Sequence, residues 1–190
     1  MYGKLSRYPL DNFDRIWTSD GILSAETKKS VQPVSSKMPI STKNTKDFPP
    51  VAVMQKAWVV NSSQPYFGFC ERSFVQGTKS LLLLYFAEIE RLNVSESRSF
   101  YITINGKKRS ETITMVRNYS AIELPFLSDT TDIQFNLVKA PKSTLGPIIN
   151  AFEYYILVDT QPATYLQDSK FPHQTFHAQI IAIIIECLTK

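Results

Sequence analysis

Apolar and polar residues alternate with a period of two in three separate stretches of the chain. Phe100, Ile102 and Ile104 share one face, Ile133, Phe135 and Leu137 another, and Phe152, Tyr154, Ile156 and Val158 a third. Successive side chains on a strand point to opposite faces, so each stretch predicts a half-buried β-strand. Val51 to Val60 and Leu81 to Ile89 are nearly continuous apolar runs and predict central strands. Shorter strands are predicted over Tyr119 to Leu124 and Ile133 to Lys139, set off by the turn-rich segments Ser128 to Asp132 and Pro141 to Pro147. Asn105-Gly106 favours positive φ at both central positions of a type I′ turn, which predicts a hairpin between Phe100 to Ile104 and Glu111 to Val116. Lys107, Lys108 and Arg109 then fall at or just after its tip, as solvated charge that blunts a sheet edge. With no helix-length amphipathic segment, the pattern predicts an all-β fold, an antiparallel β-sandwich of jelly-roll type.

Composition narrows the picture. The chain has 190 residues, long enough for one core with tails, and its eleven prolines, nine tyrosines and twelve phenylalanines suit a strand-rich domain. Hydrophobic content of 43% against 20% charged residues excludes wholesale disorder, although residues 18 to 48 are markedly polar. The net charge of +4 is scattered, so there is no basic stripe and no nucleic-acid partner is expected. A mild positive balance fits an acidic polysaccharide better. Cys70 reads as a buried free thiol in an apolar setting. The first ten residues lack the apolar core of a signal peptide, and Ile180 to Ile185 falls far short of the roughly 20 residues needed to cross a bilayer, so no membrane span is expected.

Candidate chemistry is sparse. Glu88 and Glu90 point to one face, but without an acid partner in a distinctive setting they read as solvated charge rather than a glycosidase pair. His173 and His177 have helical spacing without a third ligand. No nucleophile elbow or phosphate-binding glycine loop occurs among six glycines. The expectation is a non-enzyme with no cofactor and no metal. Aromatic rings can stack on sugar faces while amides and carboxylates fix hydroxyls, which nominates Tyr66, Phe67 and Tyr85 with Glu88 and Asn150 as ligand-binding candidates. Asn61-Ser-Ser63, Asn93-Val-Ser95 and Asn118-Tyr-Ser120 are N-glycosylation sequons at predicted loops or strand ends.

Five motifs in order carry a family resemblance: Tyr8 to Trp17, Pro49 to Trp58, Leu84 to Glu90, Arg98 to Gly106 and Ser143 to Tyr155. Together they resemble the malectin-like domain of plant leucine-rich-repeat receptor-like kinases, a sandwich of the malectin or galactose-binding-like type. The resemblance implies an inter-lobe linker and flexible leading segment over 1–44, a malectin-like sandwich over 45–160 and a divergent tail over 161–190. Asp14-Arg-Ile-Trp17 resembles the bridge between tandem lobes, so the chain is expected to hold the second lobe only. The implied function is ligand recognition at the cell surface, on the extracellular side of the plasma membrane within a full receptor, without catalysis. Implied partners are a cell-wall saccharide or a secreted peptide, and the first malectin-like lobe or a co-receptor. The alternatives are a protein-interaction lobe without a sugar site and a non-functional truncated fragment.

Overall fold

The alternating stretch at Phe100 forms a strand whose inward residues Phe100, Ile102 and Ile104 are buried while Ser99, Tyr101 and Thr103 are partly exposed. The structure, a computed structural model, describes residues 15, 17–19, 29–71, 79–116, 119–130, 132–157 and 181–186. Its strands are β1 (Thr18–Ser19), β2 (Val31–Ser35), β3 (Lys56–Val60), β4 (Tyr66–Glu71), β5 (Lys79–Phe86), β6 (Ser99–Ile104), β7 (Lys107–Lys108), β8 (Ile113–Thr114), β9 (Ile122–Ser128), β10 (Ile133–Lys139), β11 (Ile148–Ile149), β12 (Ala151–Leu157) and β13 (Ile181–Glu186). A single helical turn, α1 (Val51–Met54), precedes β3.

The strands form a five-stranded sheet in the order β1-β13-β12-β5-β9, a sheet in the order β4-β10-β6-β7 with β8 also on β6, and a small β11-β3-β2 sheet. Every strand pair is antiparallel except β1 with β13. Thus β1 and β2, from the first 44 residues, and β13, from the last 30, all pair with strands of the intervening stretch or with each other. The two larger sheets meet through aromatic side chains. Phe86 of β5 packs on Phe100 of β6 at 5.3 Å between ring centroids, and Phe152 of β12 meets Phe135 of β10 edge-on at 5.6 Å. Pro33 and Pro125, which cannot donate to a ladder, sit in the edge strands β2 and β9.

The predicted hairpin is present. Asn105 and Gly106 have φ of 50° and 75°, and Ile104 pairs with Lys107. The return strand is split, because Arg109 N–H still donates to Ile102 C=O while the Ser110 hydroxyl accepts from Ile102 N–H. Two extra residues therefore separate β7 from β8 in the β6 register. Lys107, Lys108 and Arg109 are exposed, as expected.

The Leu81 to Ile89 run forms the central strand β5, which spans Lys79 to Phe86 and stops short of Ala87 to Ile89, and two other expected strand limits are corrected. Val51 to Val60 is a strand only from Lys56. After Pro50, whose φ of −57° suits a helical start, Val53 and Met54 N–H both donate to Pro50 C=O and Gln55 N–H donates to Val51 C=O. The apolar run had no periodicity to separate a helical turn from a strand, and Val53 and Met54 are buried either way. The strand expected over Tyr119 to Leu124 begins at Ile122 and runs to Ser128, since Tyr119 has a φ of 53° and its carbonyl accepts from Ser41 N–H.

Gly146 marks a close approach of chains. A Cβ there would lie 2.0 Å from the Val60 carbonyl oxygen, which is backbone and fixed by the small sheet. Gly146→Ala is expected to lower stability by roughly 1–3 kcal/mol, the usual cost of overpacking, in urea unfolding. An unchanged midpoint would show that this approach can relax.

Candidate ligand-binding groove

Three loops converge at one end of the sandwich. They join β3 to β4, β5 to β6, and β10 to β11. The first turns through Asn61, whose carbonyl accepts from Gln64 N–H. The second turns through Asn93, where Glu96 N–H donates to Asn93 C=O, and both the Asn93 N–H and its Nδ2 donate to Glu96 Oε2 at 2.8 and 3.0 Å. The third is fixed by the Ser143 hydroxyl, which donates within hydrogen-bond reach of the Ser97 and Leu145 carbonyls.

The loops also clip to one another. Ser97 N–H donates to Thr144 Oγ1, Thr144 N–H donates to Ser97 C=O, and Lys139 Nζ donates to the carbonyls of Ser62 and Thr144. Between them lies an open polar groove of about 440 Å³, within the usual size range of small-molecule sites. Gln32, Asn61, Ser63, Arg91, Asn93 and Glu96 contribute hydrogen-bonding groups to its wall.

Arg98 braces the floor. It is 1% exposed and donates from Nε to Glu88 Oε2 at 2.8 Å, from Nη1 to Gly146 C=O at 2.8 Å, and from Nη2 to Glu90 Oε2 at 2.6 Å. Glu88 Oε1 accepts from Glu90 N–H, so one guanidinium and two carboxylates define how this loop leaves β5. Burial pushes the Glu88 carboxyl above its ordinary pKa, while the Arg98 charge opposes that shift.

The residues nominated from sequence lie in different places. Phe67 faces the sandwich core. Asn150 is fully buried, accepting from Ala87 N–H and donating to Met54 C=O. Tyr85 is also fully buried, and Glu88 is 1% exposed beneath the groove floor. Tyr66, at 58% exposure on β4, is the one member of the five open to solvent. None of the five lines the groove. Of the sequon asparagines, Asn61 and Asn93 line it, whereas Asn118 lies outside the described residues. Gln32 on β2 and Arg91 and Glu96 on the β5–β6 loop were missed because the approach of a strand to a loop distant in sequence leaves no periodic mark.

A second polar cluster lies on the outer face of the five-stranded sheet. Glu153 of β12 is fully buried and accepts from Arg15 Nη1 at 2.6 Å, Tyr85 OH at 2.8 Å and Tyr155 OH. Arg15 Nη2 donates to the carbonyls of Asp47 and Phe48, and its guanidinium lies 4.9 Å from the Trp17 ring centroid. The fully buried Trp17 contacts Tyr85 edge-on. Glu123 Oε2 accepts from Lys46 and Asp47 N–H, holding the same loop from another side. Phe48 is thereby kept at a φ of 41°, unusual for an aromatic residue, and is 47% exposed.

Burial raises the Glu153 pKa, opposed by Arg15, and the same desolvation keeps both Tyr85 and Tyr155 neutral. A carboxyl with a raised native pKa stabilises the fold below its unfolded value, about 4.3, and loses that contribution as pH rises through the native value. The chain is therefore expected to lose stability relative to Glu153→Gln as pH rises from the ordinary carboxylate range. Urea unfolding of both proteins across pH checks this; a gap running the other way contradicts it.

Comparisons with known proteins agree with this architecture. The malectin-like domain family model matches residues 2–157. A protein named as a probable LRR receptor-like serine/threonine-protein kinase from Arabidopsis thaliana is 29% identical over 161 residues, covering 80% of this chain and 17% of the kinase. A receptor-like protein kinase from the same plant is 28% identical over 175 residues, covering 83% of this chain and 17% of its own length. The chain thus matches about a sixth of the length of these relatives.

Among solved structures, the ANXUR1 extracellular domain from Arabidopsis thaliana superposes with a TM-score of 0.67 at 13% identity, over 81% of this chain and 46% of that one. A complex of the plant peptide RALF23 with FER and LLG2 gives 0.64 at 18% identity, over 81% and 46%. At these identities the structures speak to fold, an all-β sandwich. With the family match spanning most of its length and its sandwich shared with receptor ectodomains, the chain belongs to the malectin-like domain family.

Proposed function

We propose that this chain is a ligand-recognition module of a plant receptor ectodomain, acting by binding without catalysis, and that its ligand enters the groove between the three loops. The observation that carries this reading is the groove itself: a polar cleft on a rigid sandwich, with its walls already hydrogen-bonded to one another before any ligand arrives. Such pre-organisation lowers the ordering cost of binding. Likeness to receptor kinases and to an extracellular domain supports placement on the extracellular side of the plasma membrane.

The lining favours a peptide over a stacked sugar. Amides, hydroxyls and charged groups line the groove with Val59, Val60, Leu92 and Leu145, and no aromatic ring does among the described residues. Saccharide sites gain much of their affinity from ring stacking, whereas an extended peptide presents backbone groups that amides and hydroxyls can satisfy. The complex of the plant peptide RALF23 with FER and LLG2 supports a peptide, and a further protein beside it, as partner classes. Cell-wall saccharide is the second reading, resting on exposed Tyr66 at the edge strand β4.

The test uses the full chain, secreted behind a heterologous leader and titrated with synthetic secreted peptides and cell-wall oligosaccharides. Gln32→Ala and Arg91→Ala remove exposed groove groups and are expected to weaken peptide binding roughly tenfold each, about 1.4 kcal/mol, with little change in melting. Saccharide binding lost in Tyr66→Ala and retained in the groove variants would instead place recognition on β4.

A further inference from the structure

We propose that the groove is gated by the protein's own N-linked sugars, attached at Asn61 and Asn93. Both asparagines line the cleft, from different walls: Asn61 on the β3–β4 loop and Asn93 on the β5–β6 loop. The inference rests on reading the groove as the ligand site, and it adds a modification that regulates access.

The local geometry suits both attachments. Asn93, Val94 and Ser95 are exposed, with Val94 at the tip of the turn, so the folded turn leaves open space for a glycan. Asn61 is half-buried and lines the groove, and Ser62 and Ser63 beside it are exposed, so a sugar on its amide starts at the groove wall. In the transfer, the amide nitrogen bonds to the anomeric carbon of a lipid-linked oligosaccharide. The bond from that carbon to the lipid diphosphate breaks, and one amide proton is lost to base. One N–H remains on each nitrogen. That is sufficient for the bond each side chain already makes, from Asn93 Nδ2 to Glu96 Oε2 and from Asn61 Nδ2 to Lys29 C=O at 3.2 Å. Each glycan therefore starts from an oriented amide, and two chains rooted in facing loops cover the cleft between them.

The test compares three forms of the full chain secreted from plant or insect cells. These are the glycosylated protein, the same protein trimmed by an endoglycosidase, and a Ser63→Ala, Ser95→Ala double variant that keeps both asparagines. Glycopeptide mass spectrometry reads occupancy. Labelling by an arginine-directed dicarbonyl reagent reads access to exposed Arg91 in the groove, with exposed Arg109 on the distant hairpin as the internal control. The expected result is sugar at both asparagines, with Arg91 labelled several-fold more slowly in the glycosylated form than in the double variant, the trimmed form between them, and Arg109 labelled alike in all. An empty Asn61 or Asn93, or an Arg91 rate indifferent to the sugars, overturns the gate. Titration of the peptide panel into the unglycosylated chain made in bacteria, with every groove side chain intact, separates the two claims: no binding there sinks the ligand-site reading, while the labelling result still decides the gate.

Discussion

Arg98→Ala is expected to destabilise the fold by roughly 3–5 kcal/mol, the largest single-residue effect anticipated here. The guanidinium and its Glu88 partner are 1% and 0% exposed at the side chain, so solvent does little to screen their interaction. Removing the cation strands Glu88 in the interior, where it must take up a proton or draw water inward. It also frees the Gly146 carbonyl and releases Glu90, and with it the wall of the groove. Lysine should rescue little, because Arg98 uses three nitrogens on three acceptors and an ammonium cannot match that fork. Urea unfolding of the three proteins measures the effect. A loss below about 1 kcal/mol would place this triad with ordinary exposed ion pairs.

The second large effect is expected at Arg15. Its side chain is 6% exposed against a fully buried Glu153, and it is a long-range tie between an early residue and β12. Arg15→Ala should cost about 3 kcal/mol or more, because Glu153 is left with two neutral tyrosine donors and no counter-charge. It should also release the Asp47 and Phe48 carbonyls, letting Phe48 relax from its left-handed conformation. Combining Arg15→Ala with Glu153→Gln removes the stranded charge, so the double variant is expected to be more stable than Arg15→Ala alone. Additive losses in that cycle would mean the two side chains do not act as a pair.

Where one face meets the core and the other meets solvent, alternation revealed the strand directly. The residues predicted inward on β6 and β10 are buried, and β10 has the predicted limits. The Asn-Gly turn was equally plain, since few dipeptides accept positive φ twice. On β12, Phe152 and Tyr154 are buried as expected, but so are Ala151 and Glu153, because the Arg15 segment covers the opposite face. A covering segment distant in sequence leaves no periodic trace within the strand. The same blindness explains Tyr85, Glu88 and Asn150, polar side chains whose interior partners come from elsewhere in the chain. The groove was the least legible feature, because it exists only where three loops meet beside β2 and β3. Its sequence trace was indirect: two of the three sequons flank it.

Capture of a ligand by the groove is tested by amide hydrogen exchange of the secreted chain with and without a peptide selected from the binding panel. Slowed exchange is expected in the Asn61 to Ser63, Arg91 to Glu96 and Leu145 to Gly146 segments, lost together with binding in Arg91→Ala. Protection confined to β4 around Tyr66, or bound peptide that leaves all three loops unprotected, would contradict it.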